Sequence, residues 1–402
     1  MAAKRILFIE PVPALRQRIV GGLEHLRDRW ELSFAGTQAE ALDLMAASPV
    51  QAVVTDGPAG LALQFAREAA RRCPGVIRVV QMDPAEKELR QECVESAVHC
   101  LPPGCEVSLI EEAVKRALLV EELMNNPAIK ELMARMRTPP TLPELYRQIL
   151  QHLQSPAASL EEVALLISNE PALCAKMIQM ANSAFFGLSR QISTAFEAVM
   201  FLGLEQVKAL VLYGHCVCLF DPRCCRAFSI DRLWRHCMTT ASFARWITLE
   251  ETGNTDLADG VFTAGLLHDM GKLMLAANVP DQYQQALALA DRARITDGEA
   301  ERQSLGTTHA EVGACLLGSW GLPSSIVEAV VWHHAPRLSD PREFTPLTAV
   351  HVANTLAYER EAAPPSPTIS QIDSDYMSAL GLGDRCDIWR RICVIPAQET
   401  SV

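Results

Sequence analysis

The chain has 402 residues, more than one hydrophobic core usually spans, so two domains with connecting helices are the default. Apolar residues make up 49% and charged residues 21%, a composition that folds and excludes a disordered chain. A formal charge of −12 disfavours extended contact with phosphate backbones, which takes clustered lysine and arginine, so nucleic acid is not an expected partner.

No apolar run approaches the roughly 20 residues of a membrane-spanning helix, so no membrane partner is expected. The start Met1-Ala2-Ala3-Lys4-Arg5-Ile6 passes directly into a strand-like segment instead of a signal peptide, and the predicted location is cytoplasmic. The 13 cysteines are odd in number and form no Cys-x-x-Cys pair; Cys174 and Cys315 sit inside apolar periodic segments, which fits reduced core thiols.

Residues 4–116 alternate short β-branched runs with helical stretches, the pattern of an α/β doubly wound parallel sheet. Strands are predicted over 5–9, 31–34, 52–55, 76–80 and 98–101, with helices over 14–28, 38–47, 61–72 and 84–96 between them. Five strands suit a flavodoxin-like order, in which functional groups collect at the carboxyl ends of strands. Asp56, after Ala52-Val53-Val54-Thr55, lies at such an end.

This segment resembles the receiver domain of two-component systems. The resemblance makes Asp56 the counterpart of the phospho-accepting aspartate and Glu10 the counterpart of one acid of the magnesium site. It is incomplete. Receivers carry two adjacent acids after the first strand, whereas Glu10 is followed by Pro11, so one oxygen ligand for a hard cation is missing. Met82 stands at the position of the hydroxyl residue and Pro103 at that of the lysine, and neither donates to a phosphoryl oxygen. Phosphorylation of Asp56 would lack the charges that stabilise the transferred group, which favours a pseudo-receiver.

Val107, Ile110, Val114 and Ala117 recur at helical spacing, and Asn125-Asn126-Pro127 supplies a stop. Ile129, Leu132, Met133 and Met136 mark a second amphipathic set before the break Thr138-Pro139-Pro140-Thr141-Leu142-Pro143. A helix there can transmit rotation or pairing between chains, which makes a homodimer a candidate state; a plain spacer fits equally.

From 142 to about 358 the period is helical almost throughout, as in an all-α domain. Ser159-Leu160-Glu161-Glu162 and Thr194-Ala195-Phe196-Glu197 match the capping box. Leu173, Met177 and Met180 form one core stripe, and Leu160, Val163 and Ile167 another. Five histidines, His236, His268, His309, His333 and His334, sit on apolar helical segments. A single histidine on such a face is more often a hydrogen-bonded core residue than a ligand, but several converging on one interior can bind metal. His268 and Asp269 are adjacent, and with histidines from neighbouring helices they can hold a divalent ion, with Fe, Mn, Zn and Mg as candidates. Lys272, one turn on, can steady a substrate phosphate as a catalytic residue if the site is an enzyme's, or pair with Asp269. The alternative is a buried charge network without metal.

Several segments resemble the two halves of an HDOD domain in order. Asn169-Glu170-Pro171-Ala172-Leu173, Ala181-Asn182-Ser183-Ala184-Phe185-Phe186-Gly187 and Leu202-Gly203 match the first half. Leu233-Trp234-Arg235-His236, the run from Gly265 to Lys272, His309-Ala310-Glu311-Val312-Gly313 and Trp332-His333-His334 match the second. The resemblance places the chain in the HD superfamily of metal-dependent phosphohydrolases and implies a signalling output role behind a receiver. Two departures weigh against hydrolysis. Asn354 stands where HD hydrolases place a downstream aspartate, and Ala335-Pro336 follows the paired histidines, with no Gly-Tyr-Pro nearby.

The expected divisions are a receiver-like domain over 1–121, a linker helix over 122–140, an HDOD domain over 141–360 and an extension over 361–402. The extension opens with a proline-rich linker, and short helices over 373–382 and 385–394 are predicted beyond it. Two function classes stay open. In one, the HDOD domain is an output module for signalling proteins, a sensor kinase or a downstream regulator. In the other it is a metal-dependent phosphodiesterase or phosphohydrolase.

Overall fold

The computed structural model describes residues 3–73, 76–81, 99–135, 143–153, 159–182, 191–218, 225, 228–339, 343–361 and 371–394. It divides into two compact units, Met1–Glu122 and Leu123–Val402.

The first unit is a parallel sheet with helices on both faces. Its strands are β1 (Lys4–Ile9), β2 (Trp30–Ala35), β3 (Ala52–Asp56), β4 (Ile77–Gln81) and β5 (His99–Leu101), in the order β2-β1-β3-β4-β5. Its helices are α1 (Pro13–Gly22), α2 (Gln38–Ala47), α3 (Ala59–Arg72) and α4 (Val107–Met124), the last running two residues past the unit's boundary. Strand alternation divides the core. Ile6 and Phe8 pack with Ile19, Leu23, Val114 and Leu118, whereas Leu7 and Ile9 pack with Ala41, Met45, Phe65 and Ala69. Apolar side chains on both faces of one strand explain why the strands read as nearly continuous hydrophobic runs.

The helix predicted over 14–28 ends early, at Gly22, and a 3-10 turn at Glu24–Leu26 follows. Gly22 lies so close to α4 that a Cβ there would be 2.8 Å from Val107 Cγ1. The helix expected over 84–96, Met82, and the proline-rich stretches at 138–142 and 362–370 lie outside the described residues.

The second unit is helical, with no strand among its described residues. It opens with α5 (Pro127–Arg135), α6 (Glu144–Leu153), α7 (Leu160–Ser168), α8 (Pro171–Ala181), α9 (Ala195–Leu202) and α10 (Leu204–Cys218). Then come α11 (Ile230–Thr252), α12 (Thr255–Leu267), α13 (Met270–Asn278), α14 (Pro280–Ala293) and α15 (Asp297–Leu305). It closes with α16 (His309–Ser319), α17 (Ser324–Trp332), α18 (Pro346–Glu361), α19 (Ser374–Ala379) and α20 (Cys386–Ile392). α11 packs along α12 and α18, and α16 packs between α13 and α17.

The two expected capping boxes form by halves: Ser159 and Thr194 accept from the amides of Glu162 and Glu197, but neither carboxylate returns to its cap's amide. The Glu197 carboxylate accepts instead from the Ser193 amide. Reciprocal boxes occur at Thr296 with Glu299 and at Thr308 with Glu311, opening α15 and α16. The extension packs back on the helical unit: Trp389 is fully buried and donates its indole N–H to Glu251 at 2.8 Å. Cys174 and Cys315 are free thiols, whereas Cys100 is disulfide-bonded, which corrects the expectation of uniformly reduced cysteines. No helix among the described residues is long and apolar enough to cross a membrane.

Candidate metal centre

Two glycines bring two further helices onto one bend of the chain. α12 stops at Leu267 and α13 starts at Met270, leaving His268 and Asp269 at the corner. Gly265 lets α11 approach until a Cβ would meet Ala241 Cα at 2.7 Å, and a Cβ on Gly271 would run into the His309 carbonyl. The corner is thereby closed between His236 of α11, His309 at the first position of α16, and the His333-His334 pair that ends α17.

All six residues expected as ligands converge. Asp269, His309, His333 and His334 form one group of potential ligand atoms, and His236, His268 and Asp269 form another, each within 4.8 Å and sharing Asp269. His309 Nε2 lies 3.2 Å and His333 Nε2 3.8 Å from Asp269 Oδ1. His268 Nε2 lies 3.5 Å and His236 Nε2 3.8 Å from Oδ2. His334 Nε2 is 3.1 Å from His309 Nε2. His268, Asp269, His309 and His333 are at most 1% exposed.

The hydrogen bonds behind these rings decide what they offer. His268 Nδ1 donates to the Gly265 carbonyl at 2.7 Å, and His333 Nδ1 to the Val330 carbonyl at 2.6 Å. Burial pushes His268 down to about 4 and His333 well below its ordinary range, so both rings are neutral at pH 7. A neutral ring protonated at Nδ1 presents a lone pair at Nε2. Both Nε2 atoms are buried without a hydrogen-bond partner, and both face carboxylate oxygens, which are also acceptors. Lone pairs converging on a dry carboxylate fit a cation among them, with the rings oriented by their carbonyl bonds. The donor set of neutral imidazoles and one carboxylate suits a divalent transition ion.

Lys272, of α13, is drawn into the same charge system. Its Nζ sits 2.9 Å from Asp269 Oδ2, 3.3 Å from Asp297 Oδ2 and 3.1 Å from Tyr358 Oη. Burial opposes its charge, but Asp269, Tyr358 and Asp297 together outweigh burial and raise the ammonium well above its usual range. Burial likewise opposes ionisation of Asp269, yet Lys272, His268 and His309 hold the carboxyl well below the usual range. His236 differs from the other rings, because its Nε2 is 2.9 Å from Asn354 Oδ1 and is engaged there.

Three participants were not singled out in the sequence. Glu301, 1% exposed, accepts from both Nδ1 and the backbone N–H of His309 at 2.7 Å. Asp297 and Tyr358 complete the surroundings of Lys272. A carboxylate eight residues before a histidine, across a turn between helices, has no periodic signature; only the His309 capping segment marks the place. His334 of the cluster lines a cavity of about 510 Å³, together with Arg302, Thr308, Glu311 and Trp332.

Asp56 and Glu10 lie in the other unit. Asp56 is exposed at the end of β3, opposite Gln81 of β4, and its Oδ1 accepts from the Gly57 N–H at 2.7 Å. Glu10 is 9% exposed and its Oε1 accepts from the Val12 N–H at 2.8 Å. Pro103 is exposed in the turn after β5. Among the described residues, both groups able to hold a metal fall in the helical unit.

An HDOD domain occupies residues 140–336. A curated relative, an uncharacterized protein of Treponema pallidum (strain Nichols), is 27% identical over 211 residues, which are 52% of this chain; the match covers only 40% of that protein. A crystal structure of an HDOD domain protein with unknown function from Geobacter sulfurreducens is similar at 25% identity and a TM-score of 0.52, over 68% of this chain and 98% of that one. A crystal structure from Marinobacter aquaeolei VT8, 18% identical with a TM-score of 0.52, shares the fold over 89% of this chain and 82% of its own.

Proposed function

We propose that this chain is a signal-transduction regulator in which the α/β unit, a receiver-like input, governs an HDOD output that binds a divalent cation and acts by contact with another signalling protein. The observation that carries this reading is the closure of the centre. Every ligand candidate except His334 is buried, and the ammonium of Lys272 is seated on Asp269. A centre of this kind can staple α11, α12, α13, α16 and α17 together, because a metal that joins separate helices adds its binding energy to folding.

His268, Asp269, His309, His333 and His334 would hold the ion, with Glu301 fixing the ring of His309. The ion supplies positive charge to a carboxylate otherwise balanced by Lys272, and in a hydrolase it would lower the pKa of a bound water. The protein's own groups orient and exclude water: carbonyls of Gly265 and Val330 set two tautomers, and α18 covers His236 with Asn354. α4 spans the sequence boundary between the units and is the covalent route for a population shift.

The second reading, a metal-dependent phosphohydrolase, rests on His334, which opens to the 510 Å³ cavity. One experiment separates the two. Protein purified without chelator is analysed for metal and assayed with bis(4-nitrophenyl) phosphate, for the wild type and Asp269→Ala. The regulator reading expects about one or two ions per chain, lost in the variant, and no turnover by either. Turnover by the wild type that vanishes in Asp269→Ala replaces it with the hydrolase reading, and a metal-free wild type removes the cation from both. For the input unit, Asp56→Asn should leave incorporation from acetyl phosphate unchanged at background; wild-type incorporation lost in that variant would make the unit a working receiver.

A further inference from the structure

The pair His333-His334 ends α17, where the last carbonyls of a helix have no partner within it. Pro336 stands three residues after His333 and has no N–H to offer that carbonyl. A side chain from another helix supplies the donor: Nδ1 of His351, on α18, donates to the His333 carbonyl at 2.7 Å. His351 is 1% exposed and belongs to neither group of potential metal ligands.

The other nitrogen of that ring faces the C-terminal extension. The backbone N–H of Asp373 donates to His351 Nε2 at 2.9 Å. A carbonyl only accepts and an amide N–H only donates, so the two bonds fix one neutral tautomer, with its proton on Nδ1. Burial pushes the ring below its ordinary range, in the same sense. Tyr376, buried on α19, stands edge-on to His351 at 6.0 Å between ring centroids. Its hydroxyl shares a 2.7 Å hydrogen bond with Thr348, one turn before His351 on α18. Arg337, four residues beyond His333, pairs with Asp373 at 2.7 Å and with Asp375 at 2.8 Å. Arg337 is exposed and such pairs contribute little by themselves, whereas loss of the His351 bond leaves the carbonyl of a buried residue without its donor.

His333 is thus held twice, its ring by the Val330 carbonyl and its backbone by His351, which is itself held by the Asp373 amide. We propose that His351 is a positioning residue that couples the metal centre to the C-terminal extension: docking of residues 373–376 sets the backbone of His333-His334 so that both Nε2 atoms reach the ion, and an occupied centre holds the extension more tightly. Such coupling is reciprocal, because the factor that docking adds to metal affinity is the factor that metal adds to docking. The inference rests on the metal reading of this site, and it makes the extension the segment through which occupancy is reported to a partner.

The test uses the full chain and Co²⁺, whose visible absorption reports the geometry of its ligands. Asp373 has φ −71°, which proline accepts, so Asp373→Pro removes the N–H at a compatible backbone angle, while Asp373→Ala removes the same carboxylate and keeps the N–H. Asp373→Pro should bind Co²⁺ about tenfold more weakly than Asp373→Ala and shift the visible band, which Asp373→Ala should keep as in the wild type. His351→Phe should shift the band as Asp373→Pro does. A merely structural role would lower the melting temperature of these variants without moving the band. In the wild type, saturating Co²⁺ should slow hydrogen exchange at the Tyr376, Met377 and Leu380 amides, all hydrogen-bonded in the docked extension, by about tenfold. That measurement needs no variant and decides the matter where Asp373→Pro or His351→Phe fails to fold. Equal affinities and spectra for Asp373→Pro and Asp373→Ala, or exchange at those amides indifferent to Co²⁺, would each overturn the inference and leave the metal reading standing. A wild type that takes up no Co²⁺ removes the metal reading and the inference with it.

Discussion

The Nδ1 atom and the backbone N–H of His309 both donate to the same Glu301 oxygen, each at 2.7 Å. One buried carboxylate thus fixes both the start of α16 and the orientation of its first side chain, aiming Nε2 at Asp269. Burial opposes a proton on His309, but Glu301 and Asp269 outweigh it and hold the ring at about 9. The ring must give up that proton from Nε2 to bind a cation, and Glu301 then retains the one on Nδ1. Glu301→Gln keeps an acceptor for the amide but removes the charge. Affinity for Mn²⁺ or Zn²⁺, measured by calorimetric titration, should fall about 10- to 100-fold. An unchanged affinity would mean His309 is not a ligand.

Lys272 and a divalent ion balance the same carboxylate. In Lys272→Met with chelator present, Asp269 is a buried anion without its ammonium, and stability should fall by about 3–5 kcal/mol. Adding Mn²⁺ should recover most of that loss and should raise the melting temperature of the variant more than that of the wild type. A variant as stable as the wild type in chelator would show that the histidines alone balance Asp269.

Asn354 meets His236 at 2.9 Å, and His236 Nε2 lies 3.8 Å from Asp269, so residue 354 borders the ligand set. Asn354→Asp places a second carboxylate there at almost unchanged volume. Metal affinity should rise on the order of tenfold, because a carboxylate is a stronger ligand than an amide for a divalent ion. A metal titration that gives equal affinities would place the ion on the His309 side of Asp269, away from His236.

Much of this centre was legible because its chemistry is carried by rare residue types in short runs. His268-Asp269, Lys272 and His333-His334 stood out against apolar helices, and one adjacent acid and imidazole implied partners elsewhere. What stayed illegible depends on approach between helices. Gly265 and Gly271 look like ordinary helix-weakening glycines until Ala241 and the His309 carbonyl occupy the space a Cβ would fill. Glu301 looks like a solvated charge on α15 until it proves to be buried. The strands were readable from β-branched runs, but the end of α1 was not, since the contact of Gly22 with Val107 joins residues 85 positions apart.

The α/β unit has its own pH dependence. His99, half-buried in β5, is pushed down to about 4 by burial, with the guanidinium charges of Arg116 and Arg78 acting in the same direction. In the unfolded chain the ring titrates near 6.5. Between those values the unfolded state binds a proton that the folded state refuses, so stability is full above about 6.5 and falls as pH drops toward about 4. With allowance for partial solvent screening, the loss should be on the order of 1–2 kcal/mol. His99→Gln removes the titrating group, and urea unfolding at pH 7 and pH 5 should then show a smaller difference for the variant than for the wild type. An equal difference in both proteins would assign the acid sensitivity to carboxylates and leave His99 free to be protonated in the folded sheet.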